Sequence, residues 1–307
     1  MVKYPSEIYG HPHYAADEKA VADRARHWCP FVDKICYKRS RLIPYPFGVC
    51  SLHIRGEEIA VCPRRFLDHH SIFYDIAQFH FQTTNDLLIF PEVQLKDIGS
   101  FDFVMVKHKP MSLEIEDFAV IEFQTGQTTG TGKLVEGLKD FLAGQNIVYR
   151  SYGFNLNTYD IWKRTFTQVL NKGVIMESWG HKIYWVVQEP IYRDFERRYH
   201  LQDIGFHDEH STVFALYDLV PRPDRFDLVA TRKTAASIDQ LFGAFRYNPN
   251  IPSLDSFLQK LRIKMTQDVH LSLSLSWSAK GPSLDVKPPT PSGRIREVRD
   301  EEEDTFS

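Results

Sequence analysis

The chain has 307 residues, 43% of them hydrophobic and 25% charged, the proportions of an ordinary globular protein with ample length to bury a core. Its 37 basic and 40 acidic residues leave a net charge of −3, which excludes indiscriminate coating of nucleic acid but not a locally basic site. All four cysteines, Cys29, Cys36, Cys50 and Cys62, fall within residues 29–62. The first residues lack the apolar stretch of a secretion signal, and no segment approaches the roughly 18 to 20 apolar residues of a membrane span. A cytoplasmic protein without membrane contact is expected. In that reducing compartment clustered cysteines point to a metal rather than to disulfides.

In chain order, residues 16–27 suit a short helix leading to Cys29. Residues 29–66 are rich in Pro, Gly, Cys and Arg, with short strands expected at 49–54 and 59–62. A module so poor in regular pattern needs a staple, and four thiols can provide one. Residues 68–84 place Phe, Tyr and Ile at helical spacing, and strands are expected at 101–107 and 118–124. Leu134, Val135, Leu138, Phe141 and Leu142 then form the stripe of an amphipathic helix over 132–145. Asn157 or Thr158 caps a second helix, with Ile161, Trp162, Phe166, Val169 and Leu170 on one face and Gly173 closing it. Residues 174–179 and 182–188 flank Gly180-His181 as a hairpin. Ser253 caps a helix bearing Leu254, Phe257, Leu258 and Leu261, and residues 269–277 alternate as a half-buried strand. From about residue 278, proline and the acidic run 300–304 mark a disordered tail. The expected class is α/β or α+β, with a small metal-stapled lobe over 1–67, a larger body over 68–277 and the tail over 278–307.

The cysteines are spaced C-x6-C-x13-C-x11-C. Four thiolates suit tetrahedral zinc or iron, because soft sulfur matches those ions and four donors complete the shell. Four buried thiols without a ligand role are the alternative, since the spacing is not that of paired C-x2-C knuckles. Between residues 24 and 66 stand nine basic side chains (Arg24, Arg26, Lys34, Lys38, Arg39, Arg41, Arg55, Arg64, Arg65) against Asp33, Glu57 and Glu58, a local charge of 9 − 3 = +6. A patch of that sign suits a phosphate backbone.

A second constellation is acidic. Strand residues two apart share a face, so Glu122 and Gln124 stand side by side, and Asp102 lies on the preceding strand. An Asp on one strand and a Glu on the next converge oxygens on one point, as a hard ion such as Mg²⁺ requires, and Gln124 one pleat further can orient a water for attack on phosphorus. Glu92 lies ten residues before Asp102. The run Thr125-Gly-Gln-Thr-Thr-Gly-Thr-Gly-Lys133 fails the phosphate-loop template and reads as a turn between strand and helix. His69-His70 and His207-Asp-Glu-His210 lack a companion ligand pattern.

These pieces occur together as Cys29-Pro-Phe-x4-Cys36-x-Lys38, Gly48-Val-Cys50-Ser51, Cys62-Pro-Arg-Arg-Phe66, Glu92-Val-Gln-Leu95, Phe101-Asp-Phe-Val104, Ile121-Glu-Phe-Gln124 and Leu170-Asn-Lys-Gly-Val174. In this order, over about residues 27–195, the chain resembles the NotI/EagI family of type II restriction endonucleases. The resemblance implies a PD-(D/E)xK restriction-endonuclease-like core with an N-terminal four-cysteine metal-binding lobe. It further implies a homodimer that cuts double-stranded DNA with Mg²⁺ at GC-rich palindromes containing GGCC. Carried over residue by residue, Asp102 and Glu122 would bind Mg²⁺, Gln124 would replace the usual catalytic lysine, and Glu92 would be an auxiliary acid. Cys29, Cys36, Cys50 and Cys62 would hold the structural metal, iron in this family. Phe101 rather than proline precedes Asp102, a departure from the strict motif.

A site-specific endonuclease is therefore the expected function. Guanines would be read by arginine in the major groove, with Arg39, Arg41, Arg64, Arg65, Arg150, Arg222, Arg225 and Arg232 as candidates. Two rivals stand beside it. One is a repair or otherwise non-sequence-specific endonuclease on the same core. The other is a metal-stapled DNA-binding protein without catalysis, whose acids only solvate a strand edge.

Overall fold

The computed structural model describes residues 2–201, 204–248, 250–267, 272–278 and 281–287, the last two ranges as backbone. They divide into two compact units, Met1–Pro249 and Asn250–Ser307.

The first unit opens with β1 (Lys3–Ile8) and β2 (His11–Pro12). Helix α1 (Glu18–Ala25) follows within the expected span; Asp17 caps it by accepting the Ala20 N–H at 3.0 Å. The short strands β3 (Trp28–Cys29) and β4 (Lys34–Ile35) pair with each other. β5 (Val49–Ile54) and β6 (Glu57–Ala60) complete an antiparallel sheet in the order β2-β1-β5-β6. After a 3₁₀ stretch over Pro63–His70 comes α2 (Ser71–Ile76).

The central sheet has the order β14-β13-β12-β9-β8-β7. Strands β7 (Leu87–Leu95), β8 (Gly99–His108) and β9 (Ile115–Gln124) form an antiparallel meander. The chain then passes through β10 (Thr128–Thr129), α3 (Thr131–Leu142), β11 (Asn155–Leu156) and α4 (Thr158–Trp179) before β12 (Lys182–Gln188), which lies parallel to β9. Through α5 (Glu189–Tyr199) it reaches β13 (Thr212–Pro221), parallel to β12, and turns back along β14 (Phe226–Ala236) into α6 (Ile238–Arg246). Parallel neighbours demand such helical crossovers. Val120, Trp185, Val187 and Phe214 share a core with residues of α3, α4 and α5. Ile121, Tyr184, Val186 and Val213 face Phe66, Ile72 and Phe73. Covered on both faces, β12 is buried from Ile183 to Gln188 and shows no polar alternation.

Three features of the fold bear on the residue pattern. Gly173 does not close α4; it lies inside the helix, buried, and a Cβ there would stand 2.3 Å from Ile238 Cδ1. Residues 174–179, expected as the first arm of a hairpin, complete α4, with Met176 buried. Gly180, at φ 71°, is the cap, and the His181 N–H reaches back to the Met176 carbonyl at 3.0 Å.

Second, one compact unit spans both sides of 67/68 and extends to 249. The reason is a shared interior: Cys29, Cys36 and Cys50 belong to one hydrophobic cluster with Val120, Trp162 and Trp185. Polar ties reinforce it. Arg65 donates from Nε to Glu7 Oε2 at 2.8 Å, from Nη1 to Asp68 Oδ2 at 3.0 Å and from Nη2 to the Phe226 carbonyl. Gln188, at the end of β12, accepts the Ala60 N–H and donates to the Glu58 carbonyl of β6.

Third, in the second unit, α7 (Leu254–Thr266) is capped by Ser253 as expected, and β15 (Ser272–Ser278) pairs antiparallel with β16 (Gly281–Lys287). β16 lies inside the segment expected to be disordered. Its Ser-Leu-Asp-Val run alternates polar and apolar residues as a strand does. Residues 269–271 of the expected strand and 288–307 of the expected tail fall outside the described residues. Among the described residues no helix is long and apolar enough to cross a membrane.

Candidate active site

The register of the meander brings the three acids level. Pro91 pairs with Phe103 and Val93 with Phe101, so Glu92 of β7 stands across from Asp102 of β8. Phe103 pairs with Ile121, and one step further sets Asp102 opposite Glu122 of β9. Trp185 and Val187 of β12 pair with Glu122 and Gln124 on the other side. Glu92 is exposed and sits at φ 53°, a left-handed conformation that is uncommon for Glu and breaks the regular pairing there.

Asp102 Oδ2 accepts the Phe123 N–H at 2.8 Å, which fixes its carboxylate against β9. Glu122 is only 3% exposed, and its Oε1 accepts from Lys172 Nζ at 2.6 Å. Lys172 lies on α4 in the buried stripe Thr165, Val169, Lys172, Met176, and it also donates to the Ser100 carbonyl at 2.8 Å. Gln124 is half-buried and donates from Nε2 to the Thr125 carbonyl at 3.2 Å. The structure thus brings Glu92, Asp102, Glu122 and Gln124 to one end of the sheet. It adds Lys172, which stood in the run Leu170-Asn-Lys-Gly-Val174 without an assigned role. A lysine where helical period demands an apolar residue was the signal.

Burial first, and then the charge of Asp102, push Glu122 up to about 7, against the opposing pull of Lys172. Burial and the Glu92 charge raise Asp102, while the Phe123 N–H and Lys172 counteract. Two desolvated acids held side by side attract a cation. Mg²⁺ is usually bound by one or two carboxylates with waters and substrate phosphates completing its shell, so this donor pair fits it in kind. Among the described residues no group of three or more His, Cys, Asp or Glu side chains is drawn together as a complete ligand set.

A proton competes with any ion here. The Mg²⁺ affinity of the free protein is expected to rise up to about tenfold per pH unit as pH approaches about 7, and to level off above it. Isothermal titration between about pH 6 and pH 8 measures this; a flat affinity would contradict it. Because the folded group titrates above its ordinary value, the metal-free fold loses stability as pH rises from the ordinary carboxylate range through about 7.

The four thiols are all buried, and none is paired in a disulfide. Burial pushes Cys29 up to about 11, with Cys62 and Cys36 adding to the shift. Cys50 is raised well above the ordinary range by burial and then by Cys62, Glu7, Cys29 and Cys36, so the four influence one another. In kind and number these donors match a soft tetrahedral ion. Lys38 supports the group by donating to the carbonyls of Val49 and Val61, the residues before Cys50 and Cys62, at 3.2 and 3.1 Å. Arg39 donates to the Cys36 carbonyl at 2.8 Å.

The basic stretch is largely tethered. Arg65 is buried, Arg24 donates to the Pro12 and Ala15 carbonyls, Arg26 pairs with Asp23, and Lys38 is turned inward as described. Of the guanine-reading candidates, Arg150 is bound to Asp140, Arg222 and Arg225 to Asp227, and Arg232 to Glu189 and Glu196. Arg39 and Arg41 are exposed but also engaged, Arg39 with the Cys36 carbonyl, and Arg64 stacks on Tyr37 with its guanidinium carbon 3.6 Å from the ring centroid.

A family model described as restriction endonuclease NotI matches residues 16–225, a span that includes the cysteines, the acids and Lys172. No match is found among curated proteins. With a match over well more than half of its length, the chain belongs to the NotI restriction endonuclease family and is a nuclease by that membership.

Proposed function

We propose that the protein is a type II site-specific endonuclease that hydrolyses double-stranded DNA with Mg²⁺ on a PD-(D/E)xK core, at a GC-rich palindrome containing GGCC. The observation that carries this reading is the alignment of Glu92, Asp102 and Glu122 across three adjacent strands, with Gln124 beside them. Asp102 and Glu122 would hold the ion. Bound there, it would lower the pKa of a water and offset charge developing on the phosphate. Asp102 is kept in place by the Phe123 N–H, so its aim does not depend on the ion. Gln124 presents a neutral amide that can orient water or phosphate oxygen without drawing charge from the acids. Glu92, exposed at the rim, is placed to receive a proton released into solvent.

A palindromic site calls for a two-fold symmetric protein, hence a homodimer. Arg39, Arg41 and Arg64, on the cysteine-bearing segment, are the arginines best placed to read guanine. Iron or zinc on Cys29, Cys36, Cys50 and Cys62 would frame that segment. Digestion of a mapped plasmid with Mg²⁺, followed by sequencing of the ends, tests the reading. Discrete fragments sharing one sequence at their ends are expected. A smear would favour a non-specific or repair nuclease, and uncut plasmid would leave only the DNA-binding rival.

A further inference from the structure

We infer that Lys172 is a positioning residue for cleavage: it reaches the acidic site from α4 and holds Glu122 in place with a positive charge that Gln124 does not provide there. The inference rests on the reading of Asp102 and Glu122 as the ion-binding acids.

Three observations carry it. The first is contact. Lys172 Nζ donates to Glu122 Oε1 at 2.6 Å and to the Ser100 carbonyl at 2.8 Å. Ser100 precedes Asp102 by two residues on β8, so one amine ties together the two strands that bear the acids.

The second is burial. Lys172 is 6% exposed and occupies the apolar stripe of α4. A methionine or leucine there would pack without desolvating a charge, since a buried ion pair is seldom more stabilising than an apolar substitute of the same volume. A lysine in that position is therefore explained by its partner and not by packing.

The third is the way the helix is seated. Gly173, the next residue, approaches so closely that a Cβ would clash with Ile238 Cδ1 at 2.3 Å and crowd Thr212 Oγ1 at 2.9 Å. The turn bearing Lys172 is thereby pressed toward the sheet. With Oε1 engaged by the amine, the Glu122 carboxylate has a defined orientation. Gln124 meanwhile donates from Nε2 to the Thr125 carbonyl and carries no charge.

The test compares Lys172→Met, Lys172→Arg and the double variant Lys172→Met/Gln124→Lys with the parent. Readouts are Ca²⁺ affinity of the protein–DNA complex, DNA affinity, thermal melting, and single-turnover cleavage with Mg²⁺. Loss of a group that orients a metal-binding side chain typically lowers metal affinity or activity about 10- to 100-fold. Lys172→Met is expected to show that loss in both Ca²⁺ affinity and cleavage rate with DNA affinity unchanged. Gln124→Lys, by returning a lysine to the site from β9, is expected to recover most of it, and Lys172→Arg part of it. Unchanged Ca²⁺ affinity and cleavage in Lys172→Met would overturn the inference. So would a loss that tracks lowered melting and that neither Arg nor the relocated lysine relieves. Should Lys172→Met fail to fold, the double variant decides: near-parental Ca²⁺ affinity supports the inference, and a deficit in a folded protein overturns it. Failure of the nuclease reading looks different, because the parent itself would then leave DNA uncut.

Discussion

Asp102→Asn is expected to abolish Mg²⁺-dependent cleavage while leaving fold and DNA binding intact. Asparagine keeps the shape of aspartate and an oxygen that can still accept the Phe123 N–H, so the 2.8 Å tie between β8 and β9 survives. What disappears is the charge. A metal ion contributes several kcal/mol to stabilisation of the transition state, and each 1.36 kcal/mol is a factor of ten, so the rate should fall by roughly 10³-fold or more. Single-turnover cleavage measured beside filter binding of the same DNA separates the two effects. Equal loss of binding would mean that Asp102 serves the fold or the interface instead.

Glu122→Gln makes an instructive contrast. It also removes an ion-binding charge, but it leaves Lys172 buried without its 2.6 Å anionic partner. Glutamine keeps an oxygen that can accept from Lys172 and stands for the protonated acid, so the variant should lose activity, and its metal-free melt should lack the decline expected of the parent as pH rises through about 7. Catalytic loss alone marks Asp102; catalytic loss with a flattened pH dependence of melting marks Glu122.

The second large effect is expected at the cysteines. The purified protein should carry one iron or zinc per chain, and Cys50→Ser should lose it and melt far lower. Cys50 lies on β5, buried between β1 and β6, in the same hydrophobic cluster as the helices over the central sheet. Structural metal binding in small metal-dependent domains amounts to about 10–16 kcal/mol, against a net stability of about 5–15 kcal/mol for a whole domain. Removing a ligand therefore threatens the entire first unit, not a detachable lobe. Elemental analysis and melting with and without a chelator measure this. Metal-free protein with an unaltered melt would reduce the thiols to core residues.

Local chemistry was readable where a residue answers to its neighbours in sequence. The strand at Val49–Ile54, the Asn157 and Ser253 caps, and the pairing of Glu122 with Gln124 on one face follow from propensity and period. Gly180 shows where that information ends. A glycine with positive φ serves a hairpin turn or a helix cap equally well, and only the burial of Met176 against the sheet decides for the helix. Counting charges likewise could not tell Arg65 and Lys38, which brace the interior, from the exposed Arg39 and Arg41.

The sequence by itself determined the clustering of four cysteines, the order of the acids and, through its ordered motifs, the family. Composition, spacing and period along the chain carry that information. Tertiary structure alone decided that the cysteine segment shares one interior with the central sheet, that Glu92, Asp102 and Glu122 stand level, and that Lys172 meets Glu122 from 50 residues away. Strand register and helix seating fix those contacts, and both depend on how distant segments pack together.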